Sequence, residues 1–152
     1  MKHLKFVFLF LITSFSMVSS AQTAGTQTTI PTAVASLKEY KVLFVLNESG
    51  DKKIKAVIRN INNALEDPRL KGKLQVELVA FGDGVEIYKK TNGYDTLLDA
   101  LRDKGVLFVQ CENTLRERKI NKEELWPFVS YVPSGNGEMI LRQYEGWAIV
   151  HP

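Results

Sequence analysis

Cysteine is almost missing from this sequence: Cys111 is the only one in 152 residues, so no internal disulfide can form and the fold must be held by packing. Histidine is nearly as scarce, with His3 in the first residues and His151 beside the terminal Pro152. A zinc site needs more ligands than this, and a serine or cysteine nucleophile has no nearby imidazole to act as its base, so no metal is expected. The glycine patterns that cradle nucleotide phosphates, G-x-G-x-x-G and G-x-x-x-x-G-K-[ST], are absent from every strand-to-helix junction, and the G-x-S-x-G elbow of hydrolases is absent as well; no cofactor is expected. Charge of one sign is not concentrated anywhere. The 20 basic and 17 acidic residues include Lys2 and Lys5 of the N-terminal segment, and without those two the balance is nearly neutral. A chain with no basic stripe offers nucleic acid little electrostatic footprint.

What is present begins with an export signature. Lys2 and Lys5 precede an apolar stretch, Phe6 to Val18, interrupted by Thr13, Ser14 and Ser16 and followed by the small residues Ser19, Ser20 and Ala21. The stretch is short of the roughly 20 apolar residues that span a bilayer, which predicts a signal peptide over residues 1–21. Cleavage after Ala21 leaves a mature chain starting at Gln22, exported to the periplasm or the medium and not held in the membrane. Residues 22–36, rich in Thr, Ala and Gln, read as a flexible leader, and residues 37–152 as one folded domain.

From Tyr40 onward apolar runs alternate with amphipathic stretches. Tyr40–Leu46 (YKVLFVL) has the near-continuous apolarity of a strand buried on both faces. Ile54, Val57, Ile58, Ile61 and Leu65 lie at the spacing of one buried helix face, which Pro68 closes. Leu74–Phe81 predicts a second strand, Thr96–Lys104 a second helix ended by Gly105, and Val106–Val109 a third strand. Asn113 is placed to cap a short helical turn, and Asn121 with Glu124 has the capping-box spacing. Phe128–Val132 predicts a fourth strand, Ser134 or Asn136 a cap for a helix through Tyr144, and Trp147–Val150 a fifth strand. Alternation of this kind predicts an α/β fold, a mainly parallel sheet with helices on both faces. Ligands of such sheets sit beyond the carboxyl ends of the strands.

Three segments reach that edge: Asn47-Glu48-Ser49-Gly50, Gly82-Asp83-Gly84 and Cys111-Glu112-Asn113-Thr114. Cys111 draws most interest. At a strand end before a helical turn, the amides of Glu112 to Leu115 would favour its thiolate, a carboxylate at Glu112 would oppose it, and the alternative is a buried, inert thiol. Gly82 and Gly84 flank Asp83 either as a tight turn or as a place of close backbone approach. Glu48, Asp83 and Glu112 are acids without a fixed separation, and in surface loops such groups are usually solvated. Trp126, Phe128, Tyr131 and Trp147 complete the core or form a subunit interface.

The segment Gly105 to Leu115, GVLFVQCENTL, resembles the cysteine segment of DsrE/DsrF-like proteins. It is accompanied in family order by Asn60-Ile61-Asn62-Asn63, by Val79 to Val85 (VAFGDGV), by Val132-Pro133-Ser134-Gly135 and by Gln143 to Trp147 (QYEGW), with Asp83 where a histidine is commoner. The resemblance spans residues 40–152. It implies a three-layer α/β/α sandwich with a five-stranded parallel sheet, assembly as a trimer or hexamer, and sulfur chemistry. In the better-known members a cysteine at this place carries a persulfide in a relay, so Cys111 inherits the role of sulfur carrier, with Asn47, Gly82, Asp83, Gly84, Asn113 and Thr114 around it and a donor or acceptor protein as partner. The alternative is a non-catalytic oligomeric module that binds a small ligand or a partner and in which Cys111 is structural.

Overall fold

Apolar runs between amphipathic stretches produce, in the computed structural model, five strands and four α-helices, and the structure describes residues 31–152. The segment read from the sequence as a signal peptide, residues 1–21, and most of the expected leader, residues 22–36, lie outside the described residues. Ala33–Pro152 pack as one unit. β1 (Tyr40–Leu46), β2 (Leu74–Ala80), β3 (Leu107–Cys111), β4 (Ser130–Val132) and β5 (Ala148–Val150) form a wholly parallel sheet in the order β4-β3-β2-β1-β5. This is the α/β sandwich that the alternation predicts.

Strand periodicity divides the core into two faces. Val42, Phe44 and Leu46 with Val76, Leu78, Ala80 and Phe108 meet the buried residues of α1 (Asp51–Glu66) and α2 (Asp95–Arg102), and Leu115 of α3 (Glu112–Arg118) joins them. Leu43, Val45, Val79 and Val109 point the other way, against Trp147 and Met139, the latter from α4 (Gly135–Tyr144). Three helices therefore cover one face, and α4 is the single helix on the other. Among the described residues no helix is long and apolar enough to cross a membrane.

Three expectations change in detail. β3 runs on to Cys111, past the predicted Val109, because β4 continues the ladder and pairs Val109, Gln110 and Cys111 with Ser130, Tyr131 and Val132. β4 starts at Ser130, since Phe128 leaves the sheet to stack on Trp126 (1° between planes) and to meet Phe108 at 5.5 Å between ring centres. The glycine segment is no simple loop: Gly82–Tyr88 winds as a 3-10 helix, with Val85, Ile87 and Tyr88 fully buried and the Tyr88 hydroxyl donating to the Leu78 carbonyl at 2.7 Å. The late aromatics pack within the chain, Trp147 on one face and Trp126, Phe128 and Tyr131 against the core of the other.

Topology also picks out one place on the carboxyl edge. The chain leaves β1, β2 and β3 towards the three-helix layer and leaves β4 towards α4, so the exits diverge between β3 and β4. A crevice opens where neighbouring strands send their connections to opposite faces.

Candidate functional site at the end of strand β3

Cys111 closes β3 and caps α3, with φ −70° and ψ 120°, and is only 5 % exposed. It lines a cavity of about 240 Å³ in the β3–β4 crevice. The walls come from four segments: Phe81 and Gly82 after β2, Cys111 itself, Asn113, Thr114, Glu117 and Arg118 of α3, and Ser134, Gly135 and Asn136 at the start of α4.

Local chemistry fixes each wall. Gly82 has φ +54°, a left-handed conformation that costs glycine nothing, and its N–H donates to Thr114 Oγ1 at 2.9 Å. Thr114 is 4 % exposed, so its hydroxyl ties the glycine segment to α3 and lines the cavity from a fixed position. Asn113 does not cap the helix as expected. It sits inside the first turn because the strand runs directly into α3, its N–H donates to the Pro133 carbonyl at 3.3 Å, and its Oδ1 accepts from Arg116 Nη2 at 2.6 Å. Ser134 is the cap of α4, its Oγ accepting from the Gly137 N–H at 3.2 Å, while Asn136 lies within the helix. The next residue has to be small: a Cβ at Gly135 would come within 2.8 Å of the Phe81 ring.

Charge enters through Arg118, whose guanidinium pairs with Asp83 at 2.6 Å. Asp83 thus meets the cavity through Arg118 and is not itself in the wall. Glu112 is turned to Lys122, 2.6 Å away. The helical turn expected after Cys111 is present, but the cysteine side chain makes no capping hydrogen bond to it. The cavity offers one thiol, one cation, one carboxylate from Glu117, amide and hydroxyl groups, and the N-terminal end of α4.

Of the residues singled out in the sequence, Gly82, Cys111, Asn113 and Thr114 share the cavity. Asn47 lies beyond it, with its Oδ1 2.8 Å from His151 Nε2. Gly84 is also outside, packed so closely on the end of β1 that a Cβ would lie 2.0 Å from the Leu46 carbonyl oxygen. Sequence reasoning missed Phe81, Glu117, Arg118, Ser134, Gly135 and Asn136 as wall residues. Helical spacing was a usable signal for two of them, since Glu117 and Arg118 fall one turn after Asn113 and Thr114. Nothing local marked the others. Among the described residues, no group of three or more His, Cys, Asp or Glu is arranged to hold a metal ion.

A family model described as "DsrE/DsrF-like family" matches residues 40–152. The solved structure titled "Structure of Protein of Unknown Function MTH1491 from Methanobacterium thermoautotrophicum" superposes with a TM-score of 0.70 at 32 % identity, over 75 % of this chain and all of that one. No curated protein matches the chain.

Proposed function

The chain belongs to the DsrE/DsrF-like family, and from that premise we propose that it carries sulfur as a persulfide on Cys111. The observation that supports this most is the position of the one thiol, at the end of β3 in a small polar cavity where the strand exits diverge. Loading balances without a net oxidant. The Cys111 thiolate attacks the outer sulfur of a persulfide or polysulfide donor, a new Sγ–S bond forms, the donor's S–S bond breaks, and its electron pair leaves on the donor thiolate. Unloading is the reverse sense: an acceptor thiolate takes the outer sulfur and Cys111 departs as thiolate.

The expected result is that the purified protein gains mass in steps of one sulfur when given polysulfide, and that Cys111→Ser gains none. A folded wild-type protein that gains no sulfur and resists alkylation of Cys111 would rule the reading out. The burial of Cys111, at 5 % exposure, supports the second reading, a non-catalytic module with a structural cysteine. That result would select it.

We further propose export, on the basic, apolar and small-residue order of residues 1–21. The secreted or periplasmic product should begin at Gln22 when its N-terminus is sequenced; recovery of an intact Met1 chain from the cytoplasm would count against this.

A further inference from the structure

Successive residues of β3 face opposite layers, Phe108 the three-helix layer and Val109 the layer of α4. Gln110 therefore continues the row of Phe108, on a face that β1 and β2 fill with apolar side chains, Ala80 being its neighbour across the ladder. An apolar residue would serve packing better there. Gln110 has no exposed surface, and among the described residues its Oε1 has no hydrogen-bond partner, so the amide costs stability where it stands. Its Nε2 makes one bond, donating to the carbonyl oxygen of Cys111 at 3.0 Å. β4 cannot supply that donor, because Cys111 is paired with Val132 and the next residue, Pro133, has no N–H. Nor does the carbonyl need it to be satisfied: Cys111 is the cap of α3, and a cap residue gives its carbonyl to the first turn of the helix. The glutamine amide is thus dispensable to the fold and directed at one place, the peptide that joins Cys111 to Glu112.

We infer that Gln110 is a positioning residue for the thiol of Cys111, an inference that rests on the sulfur-carrier reading of that thiol. The sulfur belongs to the α4 side of the sheet, in the cavity with Ser134 to Asn136, and Gln110 to the other side. Its bond draws the Cys111 carbonyl, the negative end of the peptide dipole, away from the sulfur. In a trans peptide the N–H is antiparallel to the C=O, so the Glu112 N–H is turned towards the side of the sulfur. An N–H on that side favours the thiolate, the form that attacks a sulfur donor. The stability lost at Gln110 goes into holding this peptide in one orientation, at a junction where strand passes into helix within one residue.

Gln110→Met keeps the length of the side chain and removes the amide. It should fold, with a urea midpoint at or above that of the wild type. Its Cys111 should be alkylated on the order of three- to tenfold more slowly at pH 7, the worth of one hydrogen bond, and the pH profile of alkylation should move to higher pH. Loading from polysulfide should slow in parallel. A mere change in access would slow alkylation equally at every pH. A Gln110→Met protein that does not fold, or that folds with its pH profile where the wild type has it, would overturn the inference and leave the sulfur-carrier reading untouched. A wild-type protein that takes up no sulfur from polysulfide would overturn that reading, and this inference with it.

Discussion

Replacing Arg142 by glutamine is expected to cost about 3–5 kcal/mol of stability near neutral pH, the usual loss when one partner of a buried ion pair is removed. The residue left behind is Glu77, with no exposed surface, in the middle of β2 between Leu43 of β1 and Leu107 of β3. Burial pushes its carboxyl above the ordinary range, Arg142 pulls it back, and the charges of Glu138 and Glu145 push it up again. A carboxyl raised in the folded state contributes stability below its unfolded value, and loses that contribution as pH climbs through the folded value. Without Arg142 the folded value rises further. The deficit of Arg142→Gln should accordingly be largest in mild alkali and shrink as the solution is acidified. Glu77→Gln, which removes the buried charge but keeps the shape, should restore most of the loss in the double variant. Urea unfolding at about pH 5 and pH 8 measures both effects. A deficit that is the same at the two pH values, or a double variant no more stable than Arg142→Gln, would show that Glu77 does not depend on Arg142 for its charge.

Gly84→Ala should be as damaging for a reason of space alone. The new Cβ would stand 2.0 Å from the Leu46 carbonyl oxygen and 2.6 Å from its carbon. Both are backbone atoms at the end of β1, and that oxygen already accepts from the Phe81 N–H at 3.1 Å, so no flexible side chain can yield. Overpacking of this kind reaches or exceeds about 3 kcal/mol. Gly105→Ala is the comparison: φ there is +84° with nothing within 4 Å of the added carbon, so only the backbone preference is lost, about 1–2 kcal/mol. Chemical denaturation of the two variants should separate them clearly, and equal losses would refute the steric account. Because Gly84 follows the cavity residues Phe81 and Gly82 in the same segment, a folded Gly84→Ala protein should also show altered alkylation of Cys111.

Much of the architecture was legible in the sequence, and particular residues show why. The run Tyr40–Leu46 identifies β1 because a parallel strand covered on both faces is apolar throughout, and the spacing of Ile54, Val57, Ile58 and Ile61 identifies α1 because helix geometry imposes a period of 3.6 on a buried face. Ser134 as a cap and the Asn121–Glu124 box were equally readable, since capping is a contact across three residues. For the segment after β2 the sequence left a tight turn and a close backbone approach open, and the structure shows the close approach, at Gly84, within a 3-10 helix. Its two glycines are a strong local signal, but Gly84 serves close packing, and Val85, Ile87 and Tyr88 are buried by elements distant in sequence.

For the site, the sequence determined that the only thiol stands at the end of β3 and that Gly82, Asn113 and Thr114 end near it, because all strand ends of a parallel sheet share one edge. Tertiary structure alone decided that Ser134 to Asn136 complete the wall and that Asn47 does not, since this follows from the strand order β4-β3-β2-β1-β5 and from which face α4 takes. It also decided the polarity of α4. Glu77 alternates with apolar neighbours as a solvent-facing strand residue would, and Ile140, Leu141 and Tyr144 share one helix side that local periodicity would bury. Only the packing of Arg142 over Glu77 turns the charged side of the helix inward and leaves Ile140, Leu141 and Tyr144 facing out, because the choice of face depends on what lies across the sheet and not on local periodicity.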